Sequence, residues 1–105
     1  MLFLSRLKCV VKANAYGHGI DLVAPALFSA GWREFCVATI PEALRLRSLL
    51  GPEAQILAWL YGPTTDLDEA VRADIQLGIS TVDSLDRLAE AARRKIGRAS
   101  CRERV

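Results

Sequence analysis

The run Val10-Val11-Lys12-Ala13-Asn14-Ala15-Tyr16-Gly17-His18-Gly19 changes character halfway along. Residues 8–13 are short, apolar and β-branched in the middle, which reads as a buried strand. Asn14 and the two glycines then read as the loop that ends it. Beyond this loop, residues 20–30 have helical spacing, with Leu22, Val23, Ala26, Leu27 and Ala30 on one side, Asp21 in the first turn and Gly31 as a stop. Pro25 is costly in a helix interior, so the spacing predicts a late start near Leu22.

The same alternation recurs. A strand at 34–40 is followed by a helix that Pro41 opens and Gly51 ends. A third strand at 55–60 leads through the loop at 61–64 to a helix near 67–73, where Thr65 and Asp68 resemble a capping box. A fourth strand at 75–80 precedes an amphipathic helix, with Asp83 and Ser84 as competing N-caps and Leu85, Leu88, Ala89 and Ala92 as its apolar stripe. Four strand–helix pairs in about ninety residues imply a parallel sheet covered by helices. A (β/α)8 TIM barrel takes about 250 residues, so these four βα units are either part of such an α/β barrel or a complete four-stranded α/β sandwich. Periodicity does not separate the two.

Composition narrows the function classes. The chain has 105 residues, 51% apolar and 25% charged, which is ordinary globular usage. Its net charge of +2 comes from the end: residues 95–105 hold four basic residues and one acid, leaving ten basic and eleven acidic residues over 1–94. No basic patch for nucleic acid remains in the body. Cys9, Cys36 and Cys101 are odd in number and widely spaced, and His18 is the single histidine, so neither a disulfide scaffold nor a metal site is expected. Cys9 and Cys36 read as small buried hydrophobes of a reducing, cytoplasmic protein. The stretch at 1–6 does not read as a signal peptide, and no membrane span is expected from the sequence.

Active sites of parallel α/β folds gather at the C-terminal ends of the strands, and Lys12 stands at such an end. A solvated terminal lysine is the ordinary explanation for a random strand. A desolvated amine there is able instead to form a Schiff base. Tyr16 offers a phenolic donor four residues on, and Gly17 and Gly19 permit positive φ beside a ligand. The helix that follows is expected to aim free N–H groups at an anion in the same mouth. An amine for an aldehyde beside a phenol for a phosphate is a combination that suits pyridoxal phosphate.

The stretch from Val10 to Gly19 resembles the cofactor signature of the alanine racemase family almost letter for letter. The resemblance extends through Gly31, Val37-Ala38, Glu42-Ala43-Leu44, Arg45-Leu46-Arg47 and Ile56-Leu57-Ala58-Trp59 to the helix ending near Arg94. Barrels of the pyridoxal-phosphate homeostasis and decarboxylase types share the strand-end lysine but lack this Tyr-Gly-His-Gly continuation. They, and a non-catalytic pyridoxal-phosphate carrier, are the alternatives.

The resemblance implies an isomerase that interconverts L-alanine and D-alanine for peptidoglycan precursor supply. Lys12 would hold the cofactor as a Schiff base and serve as one of two bases, and Tyr16 would contact the cofactor phosphate. Asn14, His18 and Trp59 are weaker candidates: the first two shape the turn, and Trp59 falls where the family places an apolar residue near the ring. The family forms homodimers with shared active sites, and its second base is a tyrosine in a context that neither Tyr16 nor Tyr61 matches. The expected organisation is an uncertain or non-native start at 1–7, the N-terminal half of the barrel at 8–94, and a cloning or adaptor tail at 95–105. Such a fragment is expected to be inactive alone.

Overall fold

The computed structural model describes residues 7–103. Four strands, β1 (Cys9–Val10), β2 (Glu34–Thr39), β3 (Gln55–Leu60) and β4 (Ile75–Leu77), alternate with the helical elements α1 (Lys12–Tyr16), α2 (Ile20–Ser29), α3 (Ile40–Leu50), α4 (Asp68–Arg72) and α5 (Val82–Glu103). Every strand pair is parallel and the order is β1-β2-β3-β4. Right-handed crossovers that always step the same way lay their helices on one face of the sheet. This sequential winding is that of a barrel; a doubly wound sheet reverses its order.

The core forms where α3 packs on β2 and β3. Phe35 pairs with Ile56 and Val37 with Ala58, and all four are buried together with Ala43 and Leu46 of α3. Burying a side chain the size of Phe35, Leu46 or Ile56 contributes roughly 1.5–3 kcal/mol. A surface ion pair such as Lys8–Glu34, at 2.6 Å, contributes about 1 kcal/mol at most. Apolar contact between one helix layer and one sheet face therefore dominates. Alternation turns Val10, Cys36, Leu57 and Trp59 to the other face, where Val10 and Trp59 are exposed.

Sequence and geometry agree closely for α3. Thr39 and Glu42 form a reciprocal capping box, Pro41 lies in the first turn, and Gly51 ends the helix at φ 83°. The strand at 55–60 also falls as its pattern predicts. At the N-terminal end of the sheet, Arg47 donates to the carbonyls of Gly51, Ala54, Ala73 and Asp74, tying together the α3–β3 and α4–β4 loops, at the opposite end from Lys12 and Trp59.

Elsewhere the structure corrects the expectations. The first strand stops at Val10, because the chain turns left-handed from Ala13. Helix α2 starts at Ile20, not near Leu22, and accommodates Pro25 in its interior. Its start is set by the Asn14 side chain, whose Oδ1 accepts the Ile20 N–H at 2.9 Å. Thr65 and Asp68 form no capping box: Thr65 Oγ1 accepts the Gly62 N–H, and the Asp68 N–H donates to Asp66 Oδ1.

The fourth strand is shorter than predicted, ending at Leu77. In α5 the opening residue pair is Thr81 and Ser84, not Asp83 or Ser84 as the cap itself. The Ser84 N–H donates to Thr81 Oγ1 at 3.0 Å and the Thr81 N–H to Ser84 Oγ at 3.2 Å. That phase buries Ser84 and Ala91 and leaves Leu85 exposed, so the inward seam is rotated from the predicted stripe. The helix runs past Arg94 to Glu103, and Lys95 pairs with Asp74. Residues 1–6 of the start expected at 1–7, and 104–105 of the expected tail, lie outside the described residues. Among the described residues no helix is long and apolar enough to cross a membrane.

Candidate functional site

Lys12 opens a turn that winds the opposite way from an ordinary helix. Ala13, Asn14 and Ala15 adopt φ of 52°, 58° and 56° with ψ near 45°, and Tyr16 follows at φ 57°. For L-residues with a Cβ this conformation costs roughly 1–2 kcal/mol each, and such strain persists only where surrounding contacts over-determine it. Gly17 and Gly19, at φ 88° and 94°, then continue through positive φ at no steric cost.

Several contacts hold the turn. The Ala15 N–H donates to the Val11 carbonyl at 3.0 Å, the Gly17 N–H to Ala13 at 3.1 Å and the Gly19 N–H to Asn14 at 2.9 Å. Val11 and Ala15 are buried, anchoring it from below. The Ala13 N–H donates to Glu42 Oε2 at 2.9 Å, while Glu42 Oε1 accepts from Ala38 and Thr39, each at 2.9 Å. One carboxylate thereby joins the ends of β1 and β2 to the start of α3. Burial opposes its charge, but the backbone N–H groups of Thr39, Ala13 and Ala38 and the Thr39 side chain outweigh that, holding the carboxyl below its ordinary range.

Lys12, Asn14, Tyr16 and His18 therefore share one turn at the C-terminal end of β1. Lys12 and His18 are exposed, and Tyr16 is 58% exposed, so the phenol and the amine are both open to a ligand. The dry mouth in which the amine would be desolvated is not formed around Lys12 by the described residues. The expectation of free donors at the start of α2 is corrected for three of its N–H groups: that of Ile20 is taken by Asn14, and those of Leu22 and Val23 by the Gly19 carbonyl. Asn14 thus occupies the position at that helix terminus where an anion was expected.

Trp59 is not brought to this turn. It lies next to the end of β3, two strands from β1, which is about 10 Å across the sheet. Its 54% exposed side chain packs over Gly78 and lines a cavity of about 300 Å³ with Tyr61, Pro63, Thr81 and Arg87. The Tyr61 hydroxyl donates to the Gly78 carbonyl at 2.6 Å. Burial pushes the Cys9 and Cys36 thiols up from their ordinary range, as expected of inert cysteines. Glu42 escaped the sequence reading as a site residue. The signal for it was the Thr39-x-x-Glu42 spacing before an apolar run, which marks a capping box but says nothing of the second contact, to Ala13.

The description "Alanine racemase, N-terminal domain" belongs to the family model that matches residues 4–101. Alanine racemase of Mycobacterium leprae (strain TN) is 47% identical over 91 residues, which are 87% of this chain and 23% of that protein. The crystal structure of alanine racemase from D-cycloserine producing Streptomyces lavendulae matches with a TM-score of 0.77 and 38% identity, over 88% of this chain and 25% of that one. Alanine racemase from Streptomyces coelicolor A3(2) gives 0.79 and 35%, over 88% and 26%. The chain spans about a quarter of the length of these relatives, and its four parallel strands match part of their barrel. By sequence and fold alike, the chain belongs to the alanine racemase family, as part of its N-terminal domain.

Proposed function

We propose that this chain is the lysine-bearing part of a pyridoxal-phosphate-dependent alanine racemase, with Lys12 as the covalent anchor of the cofactor and one of the two bases acting on L-alanine and D-alanine. The observation that carries this reading is the left-handed turn, which sets an exposed primary amine and an exposed phenol four residues apart at a strand end. The donor set fits the group: an amine condenses with an aldehyde, a phenolic O–H donates to a phosphate, and Gly17 and Gly19 leave open space beside them. When bound, pyridoxal phosphate supplies an electron sink that acidifies the Cα–H of an amino acid.

Lys12 Nζ would hold a proton on one face of that carbon, taking it from one enantiomer and returning it to the other. Tyr16 would orient the group through its phosphate, and Asn14 would keep the turn registered against α2 by its bond to Ile20. Racemisation requires a second base on the opposite face, and Tyr61, bonded to Gly78 at the end of β3, is not placed as one. Alone, this chain is expected to capture the cofactor without turnover; pairing of two subunits and cytoplasmic residence belong to the same proposal for the whole enzyme.

The test is covalent trapping. The chain is incubated with pyridoxal phosphate, reduced with borohydride and mapped by peptide mass spectrometry. Lys12 is expected to carry the pyridoxyl group in marked excess over Lys8 and Lys95, and Lys12→Ala to abolish that labelling. Equal labelling of all three lysines would refute the assignment.

A further inference from the structure

We propose that Glu42 is a positioning residue for Lys12, holding by its carboxylate the peptide unit on which the chain changes hand. The inference rests on the cofactor reading of Lys12 given above and adds a residue to it. The N–H of Ala13 belongs to the peptide that begins at the Lys12 carbonyl, and it donates to Glu42 Oε2 from 29 positions away in sequence. Ala13 is also the first residue of the left-handed run. A strained conformation needs an external constraint at its start, because local preference favours its release.

Glu42 has the geometry of such a constraint. Its other oxygen is fixed by the Ala38 and Thr39 N–H groups, and its own N–H is held by Thr39 Oγ1 at 3.3 Å. Thr39 ends β2, whose Phe35 and Val37 are in the core, and Ala43 beside Glu42 is buried. The carboxylate is thus mounted on the junction of β2 and α3, beside the buried core, and reaches outward to a turn that faces solvent. The two oxygens have separable tasks: Oε1 caps α3, whereas Oε2 holds the turn.

That division makes Glu42→Gln a selective probe. A Gln side chain keeps its carbonyl oxygen on Ala38 and Thr39, so the helix cap survives, but its amide nitrogen then meets the Ala13 N–H donor to donor. The experiment titrates pyridoxal phosphate into the whole chain, Glu42→Gln and Arg45→Ala, scoring borohydride-trapped label at Lys12, and follows amide hydrogen exchange. Arg45 lies on the same helix in an exposed pair with Asp21 and controls for general disturbance of α3.

Glu42→Gln is expected to need at least tenfold more pyridoxal phosphate for half-labelling and to exchange the Ala13, Gly17 and Gly19 amides at least tenfold faster, with the Phe35 and Val37 amides unchanged. Arg45→Ala should match the original chain. Unchanged labelling and exchange in Glu42→Gln would overturn the inference. Should Glu42→Gln fail to fold, the original chain decides: an Ala13 amide no better protected than that of a free loop overturns it, and one protected like Thr39 supports it. Absence of any Lys12 label in the original chain would instead sink the cofactor reading, and the exchange data would still decide whether Glu42 holds the turn.

Discussion

Replacing Ala13 by glycine should stabilise this protein, although glycine weakens most regular structure. At φ 52° and ψ 48° the Ala13 Cβ meets the steric penalty of the left-handed region, roughly 1–2 kcal/mol. Glycine removes that penalty and costs about 0.4–1 kcal/mol through the greater freedom of the unfolded chain. The methyl group is exposed, so no burial is lost, and the N–H to Glu42 and the carbonyl to Gly17 remain. The balance is a gain of about 0.8 kcal/mol, or some 3–6 °C for a domain of this size. Ala15 is the internal control. Its φ of 56° offers the same relief, but its buried methyl forfeits about 0.8 kcal/mol, so Ala15→Gly should leave stability nearly unchanged. Urea unfolding followed by far-ultraviolet circular dichroism measures both. A loss of about 1 kcal/mol in Ala13→Gly, the usual cost in a right-handed helix, would mean that Ala13 is not left-handed and would refute the reasoning.

Two further expectations follow from the packing and the charges. Because hydrogen bonds depress the folded-state pKa of Glu42, its ionisation contributes stability that is complete above the unfolded value of about 4.3 and is lost as pH falls through the lower folded value. Stability measured from pH 6 down to pH 2 should therefore decline less steeply in Glu42→Gln than in the original chain, and parallel curves would contradict this. Gly78→Ala should destabilise by about 1–3 kcal/mol, since the added Cβ would lie 2.7 Å from Trp59 Cβ and 3.4 Å from its Cα; a thermal melt within 1 °C of the original would show that β3 and β4 shift apart freely.

The readability of the fold follows from what each residue needs. Phe35, Val37, Ile56 and Ala58 satisfy a strand period and a buried face at once, so β2 and β3 are evident from their letters. Pro41 and Gly51 delimit α3 because their backbone limits are local. The phase of α5 was less legible, since Thr81, Asp83 and Ser84 are all competent to start a helix and the choice falls to the reciprocal Thr81–Ser84 bonds and to Ala91 against the core. For the site, the order Lys12, Tyr16, Gly17, Gly19 was readable as an amine, a phenol and a flexible loop. How far Trp59 lies from that turn was not legible in the sequence, because strand order decides distance across a sheet.

By itself the sequence determined the alternation of strands and helices, the sheet's apolar faces and the strand-end position of Lys12, because these follow from periodicity and from residues with local backbone limits. Tertiary structure alone decided the hand of the turn that carries Lys12. Local preference for Ala13, Asn14, Ala15 and Tyr16 opposes the left-handed region, and what overrides it is a carboxylate from 29 residues away together with the burial of Val11 and Ala15. Contacts between distant segments are not written in the segments themselves, so the motif names the chemistry while the packing sets its geometry.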